Sequence, residues 1–234
     1  SDKTKTFMRL SGNDLYINCI PTGIDFSIFE DKYFDLEKAK AFKQEHGINE
    51  KTKVVLILGR LAKEKSMDVS IRGYAAYLAK YPDTDTKMIV VGDGPARSEL
   101  ELLTHELHIS KYVDFIGKKS AEEVPFYYHL ADVYTSASLT ETQGLTFMEA
   151  MAAGTTVLAR YDDNLSGTII DGKSGYFFTD ENSFVNQLNH IFNSTSEEKE
   201  TIRKGAFTIL DIYSIERFYN NIIEVYYRAI KKYW

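Results

Sequence analysis

The chain has a single cysteine, Cys19, among 234 residues. That excludes an internal disulfide and a cysteine-built zinc cluster, and we expect a reducing, cytoplasmic setting. Long apolar runs are missing too: none approaches the roughly 18 residues that a membrane-spanning helix needs. Positive charge is in the minority, with 28 Lys and Arg against 34 Asp and Glu, for a net charge of −6. Generic nucleic-acid binding is therefore disfavoured, because no basic excess exists to neutralise phosphates. Metal-ligand spacing is equally thin. His105 and His108 lie three apart, yet no cysteine or carboxylate completes a convincing site, so they read as surface histidines. No Ser/His/Asp order stands out, and the sequence shows no repeats or low-complexity tracts. The start, Ser1-Asp2-Lys3-Thr4-Lys5-Thr6, is polar, with no secretory signal pattern and no initiator Met. We expect more protein upstream.

What is present is an alternation of strands and helices. Apolar residues make up 44% and charged ones 26%, as in an ordinary soluble globular protein. The length suits one full domain with an extension. The aromatic content, 16 Tyr and 14 Phe, is high enough to place rings at surfaces or interfaces. Residues 36–47 look helical and stop at Gly47. Residues 53–58 form a buried-type strand, and further strands are expected at 88–91, 113–116, 132–136, 155–159 and 175–178. Helices are expected at 66–80, up to about 108, at 122–130, after Gly144, and at 181–193, 196–210 and 214–233. Short apolar strands alternating with helices predict an α/β fold, a Rossmann-like parallel sheet with helices on both faces. Residues 1–50 read as a linker or extension, 51–210 as the domain, and 211–234 as a terminal helix. In such sheets ligands bind at the carboxyl ends of the strands, and Arg60, Gly92, Gly117 and Glu141 all fall just after strands.

The most informative stretch is Glu141-Thr142-Gln143-Gly144-Leu145-Thr146-Phe147-Met148-Glu149. It reads as a loop entering a helix, with Gly144 at the first turn. Free N–H groups at a helix start bind anions, and two carboxylates beside them can read hydroxyls. A phosphate with two hydroxyl-reading carboxylates is what a sugar nucleotide requires. Gly59-Arg60-Leu61-Ala62-Lys63-Glu64-Lys65 follows the first strand. Taken alone, Arg60 and Lys65 are solvated charges; beside the Glu141 loop they become a pair that can reach one pyrophosphate. Gly92-Asp93-Gly94-Pro95 is better read as a structural turn than as a phosphate loop, with Pro95 at the first helical position. Gly117, ending the third strand, is either a close approach to a planar ligand or a plain turn. From Glu216 onward the terminal helix is amphipathic, with Phe218, Ile222, Val225, Tyr226, Ala229, Ile230 and Tyr233 on its apolar side. We expect it to pack on protein, with a peripheral membrane contact as the second reading.

These motifs, in this order and spacing, resemble the C-terminal half of a retaining glycosyltransferase of the two-domain GT-B fold. The likeness runs from about residue 50 to the end, and Pro21-Thr22-Gly23-Ile24-Asp25 resembles the interdomain linker. It implies that Arg60 and Lys65 hold the donor diphosphate and that Glu141 contacts the transferred sugar. Glu149 would bind the ribose hydroxyls, and Gln143, Gly144, Leu145 and Thr146 would meet sugar and phosphate. The loop at Gly117 and Lys118 would flank the base. It also implies a nucleotide-sugar substrate and no obligatory metal cofactor; Asp83-Thr84-Asp85 has the letters of a metal motif but sits in a turn beside Pro82. The chain departs from the family at Ser66, where glycine is frequent, at Thr22, where asparagine is usual, and at Ala137, where proline often stands. A finer likeness, carried by the Thr140–Gly154 stretch and by Arg160-Tyr161-Asp162-Asp163-Asn164-Leu165, is to bacterial enzymes that glucosylate diacylglycerol from UDP-glucose. The implied partners are therefore a missing N-terminal domain and a lipid or glycan acceptor, at the inner face of the membrane. A non-catalytic nucleotide-binding module and an epimerase of the same architecture are the alternatives.

Overall fold

The computed structural model describes residues 2–12, 17–141 and 143–233; Thr142 of the central loop, Trp234 and the side chain of Tyr233 lie outside the described residues. Six strands form one sheet: β1 (Lys53–Leu58), β2 (Thr86–Val91), β3 (Val113–Gly117), β4 (Val133–Ser136), β5 (Thr156–Arg160) and β6 (Tyr176–Phe178). Their order is β3-β2-β1-β4-β5-β6, and every pairing is parallel. β1 pairs with β2 along its whole length, from Lys53↔Thr86 to Leu58↔Val91, and with β4 on its other side. The chain thus winds one way from β1 to β3 and the other way from β4 to β6. Its switch point lies between β1 and β4, and in open parallel sheets ligands bind beyond the carboxyl ends at such a point.

Nine helices are described: α1 (Asp2–Leu10), α2 (Leu36–Glu45), α3 (Met67–Lys80), α4 (Arg97–Glu106), α5 (Val124–Leu130), α6 (Leu145–Ala152), α7 (Glu181–Asn193), α8 (Ser196–Ile212) and α9 (Ile215–Tyr233). The period of two along β1 explains the layering. Val55 and Ile57 point into a core with Ile71 and Tyr74 of α3 and with Phe184 and Leu188 of α7. Val54 and Leu56 point the other way, to Tyr128 of α5, Met148 and Met151 of α6, and Leu210 of α8. Both faces are covered, so the strands read as continuous apolar runs. Among the described residues no helix is long and apolar enough to cross a membrane.

Local chemistry sets several helix starts. Asp35, Asp180 and Thr195 each accept a backbone N–H three residues on, opening α2, α7 and α8. At α7 and α8 the third residue returns the bond, from Asp180 N to Ser183 Oγ and from Thr195 N to Glu198 Oε2.

The segment before β1 packs onto the domain. Phe29, Ala39 and Ile48 are buried in the second core. Ile24 donates to Tyr213 O and accepts from Ile215 N, which ties the segment to the turn between α8 and α9. The apolar stripe of α9 changes along its length. Phe218, Ile222 and Val225 are half-buried, whereas Tyr226, Ala229 and Ile230 are exposed. Phe7, Met8 and Leu10 of α1 are exposed as well.

Candidate functional site

The loops after β1, β2 and β3 are laced together along the carboxyl edge. Gly59 N donates to Val91 O, Leu61 N to Asp93 O, Ala96 N to Leu61 O, and Gly92 N to Gly117 O, all at 2.9–3.0 Å. The approach is close enough that a Cβ at Gly92 would lie 1.9 Å from Gly59 O, and one at Gly94 2.3 Å from Leu61 O. The Gly92–Pro95 stretch is therefore a structural turn. Pro95 does not occupy the first helical position: α4 begins at Arg97, because the bond from Ala96 N to Leu61 O holds the chain in the turn two residues longer.

At the switch point two loops meet that are 76 residues apart in sequence. Lys65 Nζ lies 2.7 Å from Glu141 Oε1, a pair whose lysine side chain is 31% and whose glutamate is 13% exposed. Arg60, directly after β1, pairs with Glu64 one helical turn on and is largely exposed. Lys65 belongs to a 3-10 turn, Lys63–Lys65, whose exit residue Ser66 takes the left-handed conformation (φ 47°, ψ 39°). Glycine takes this conformation without steric cost, whereas a residue with a Cβ is strained there.

Gly144 also takes the left-handed conformation (φ 69°, ψ 42°) and opens α6 with no side-chain cap. Its carbonyl accepts from Phe147 N and Met148 N. Leu145 and Thr146 are first-turn residues, so their N–H groups have no intrahelical acceptor. Gln143 is anchored twice: Oε1 accepts from Thr22 Oγ1 at 2.9 Å, and its backbone O accepts from Thr168 Oγ1 at 3.2 Å. This leaves the amide Nε2 as a donor. The contact with Thr22 brings the pre-domain segment to the edge of the site.

Glu149 lies one turn into α6, half-buried. Its Oε2 accepts from the hydroxyl of Tyr128 at 2.9 Å. Burial pushes the carboxyl above its ordinary range, and the Tyr128 bond opposes that. Nothing in the sequence Phe126-Tyr127-Tyr128-His129 marks Tyr128 as different from its neighbours, so sequence reasoning missed it. Gly117 ends β3 with φ 82°, and Lys118 beside it is exposed. With strands about 4.8 Å apart, this loop stands roughly 10 Å along the edge from β1. A ligand touching both Gly117 and Lys65 must lie along the sheet edge.

Other candidates fall outside this site. Asp85 sits at the amino end of β2, engaged by Asn49 Nδ2 at 2.8 Å and Thr52 Oγ1 at 2.9 Å. His105 and His108 are exposed, and His108 adopts φ 57° just beyond the end of α4. A cavity of about 550 Å³ between the pre-domain segment and α5 is lined by Ile28, Lys38, Pro125, Phe126 and others, and by none of Arg60, Lys65, Gly117, Glu141, Gln143, Gly144 or Glu149.

The assembled groups are two cations in reach of carboxylates, a helix start with free N–H groups, and a half-buried carboxylate held by a hydroxyl. Such a set can bind an anion and read hydroxyls together. Known proteins share the framework. The chain is 34% identical over 213 residues to the alpha-monoglucosyldiacylglycerol synthase of Acholeplasma laidlawii, covering 91% of this chain and 53% of the relative. It is 32% identical over 212 residues to the alpha-monoglucosyldiacylglycerol synthase of Streptococcus pneumoniae, covering 90% and 47%. The chain thus spans about half the length of these curated relatives. Anabaena HepE, solved with UDP and glucose, superposes with a TM-score of 0.80 at 18% identity, covering 96% of this chain and 60% of that one. The structural neighbours are GT-B glycosyltransferases, and the sheet described above is their Rossmann-like fold. The profile of the glycosyl transferases group 1 matches residues 38–207, from α2 to α8 and across the whole sheet, and this chain belongs to that family.

Proposed function

We propose that this chain is the donor-binding part of a retaining glycosyltransferase that passes glucose from UDP-glucose to a lipid acceptor such as diacylglycerol. The observation that carries this reading is the meeting of Lys65 and Glu141 in front of the uncapped start of α6. In the reaction Arg60 and Lys65 exchange their carboxylate partners for the donor diphosphate. They stabilise the negative charge that grows on the leaving nucleotide, which is electrostatic catalysis. Released from Lys65, Glu141 accepts from hydroxyls of the transferred sugar. The N–H groups of Gly144, Leu145 and Thr146 and the amide of Gln143 meet phosphate and sugar, Glu149 reads the ribose, and Gly117 and Lys118 flank the base. The likeness to the two alpha-monoglucosyldiacylglycerol synthases supports the lipid acceptor, and the UDP and glucose bound by HepE support the donor.

Residues 1–50 then form the connection from an N-terminal acceptor domain, and residues 51–210 form the donor domain. Residues 211–234 turn the exposed aromatic end of α9 toward the N-terminal domain. The enzyme works in the cytoplasm, peripherally on the inner face of the membrane. Calorimetric titration with UDP, UDP-glucose, GDP-mannose and ADP-glucose tests the donor. Selective binding of the uridine nucleotides is expected; preference for another base would discard the UDP-glucose assignment.

A further inference from the structure

The carboxylate assigned to the ribose has an unusual environment for a charged group. Glu149 is half-buried, and among the described residues no cation pairs with it. Its charged form is stabilised by one named group, the hydroxyl of Tyr128. Tyr128 is itself fully buried, 21 residues earlier in the chain and on a different helix. Its ring is fixed by edge contacts with Phe29 (centroids 6.0 Å apart) and Tyr134 (5.5 Å). Its backbone is fixed by Thr155 Oγ1, which donates to Tyr128 O at 2.6 Å. Burial also raises the phenol well above its ordinary titration range, so it remains a donor at any working pH. The bond therefore runs in one direction, from a rigid donor to Oε2. A carboxylate held at one oxygen cannot rotate freely, and its other oxygen keeps a fixed place.

We propose that Tyr128 is the positioning residue of Glu149: its hydroxyl fixes Oε2 and leaves Oε1 to accept from the ribose hydroxyls of the donor. This rests on the ribose assignment made above. Tyr128 touches no ligand in this arrangement. Its effect passes through Glu149, and it reaches back through Phe29 to the segment that precedes the domain.

The test is a double-mutant cycle of Tyr128→Phe and Glu149→Ala, titrated with UDP and with 2′,3′-dideoxy-UDP. Tyr128→Phe is expected to weaken UDP by about tenfold, the scale of one hydrogen bond to a charged group, and to leave the dideoxy nucleotide within about twofold. In the Glu149→Ala background it should add nothing. Equal weakening of both nucleotides would make Tyr128 a packing residue and overturn the proposal. So would an unchanged UDP affinity in Tyr128→Phe where Glu149→Ala loses affinity. Should Glu149→Ala itself leave UDP unaffected, the ribose assignment falls, and Tyr128 has no ligand to position through it. A second readout needs no nucleotide. Titration of the Glu149 carboxyl by NMR should move upward in Tyr128→Phe, and an unmoved titration would show that the hydroxyl does not hold the carboxylate.

Discussion

The helix starts of this molecule fall into two groups. α2, α7 and α8 are capped by the side chains of Asp35, Asp180 and Thr195. α3, α4, α5 and α6, which follow β1 to β4 at the carboxyl edge, have no side-chain cap. Two of them, α3 and α6, begin from left-handed residues, Ser66 and Gly144. The capped starts satisfy their own orphan N–H groups and are stable without help. Those at the switch point leave their N–H groups for something else. The same contrast holds for charge, since Lys65 and Glu141 satisfy each other here and, in the proposed reaction, are separated by the donor. The difference marks a working edge around the switch point against helix starts that only hold, α7 among them although it follows β6 at the same carboxyl end of the sheet.

Breaking the working edge should cost activity far more than stability. Lys65→Ala is expected to lower turnover of the full-length enzyme by about a hundredfold or more, on the scale of losing one transition-state donor. Its stability should change by no more than about 1 kcal/mol, since the pair with Glu141 is partly exposed. Paired measurements of kcat and of thermal unfolding check this. A large melting shift with normal turnover would make Lys65 structural and erase the contrast.

Breaking a capped start should do the reverse. Asp180 Oδ1 accepts from Ser183 N at 2.8 Å, and Ser183 Oγ accepts from Asp180 N at 2.9 Å. Asp180→Ala is expected to destabilise the domain by about 1 kcal/mol and to leave nucleotide affinity unchanged. Chemical denaturation alongside a UDP titration would show it, and a loss of UDP affinity would mean that the capped start and the switch point are coupled.

Much of this arrangement was legible in the sequence, for reasons that differ by element. β1 is legible to the residue because its apolar run is bounded on both sides, and α7 is found at the expected 181–193, where the structure shows Asp180 and Ser183 capping its start. Thr86 and Lys87 hid the first two residues of β2 behind polar side chains, although Thr86 is buried. The place of Pro95 depended on a bond from Ala96 to Leu61, a pairing across 35 positions that no local pattern encodes. Residues 1–50 read as a linker or extension, and α1 within them presents Phe7, Met8 and Leu10 to solvent, so it lacks the buried face that makes a helix readable. In the candidate site, residue types and spacing were enough to nominate Arg60, Lys65, Glu141 and Glu149. What they could not supply was pairing: Lys65 with Glu141, Thr22 with Gln143 and Tyr128 with Glu149 are tertiary facts.

The smallest effect sharpens the comparison most finely. Ser66 is both the exit of the Lys63–Lys65 turn and the start of α3, and its side chain caps nothing. Holding a non-glycine residue in the left-handed region costs about 1–2 kcal/mol. Glycine removes that strain but has more freedom to lose on folding, a counter-term of about 0.5–1 kcal/mol. The first term wins by a small margin, so Ser66→Gly should stabilise the domain by about 0.5–1 kcal/mol. For a chain of this length that corresponds to a melting shift of roughly 1–4 °C. Ser66→Ala isolates the cause: it keeps the Cβ and loses only a hydroxyl without a cap bond, so its melting temperature should match the parent. If alanine were as destabilising as the loss of a cap, about 1 kcal/mol, the hydroxyl would be holding the start of α3. This start would then belong with the capped group, and the uncapped working edge would shrink to the three helices that follow β2, β3 and β4.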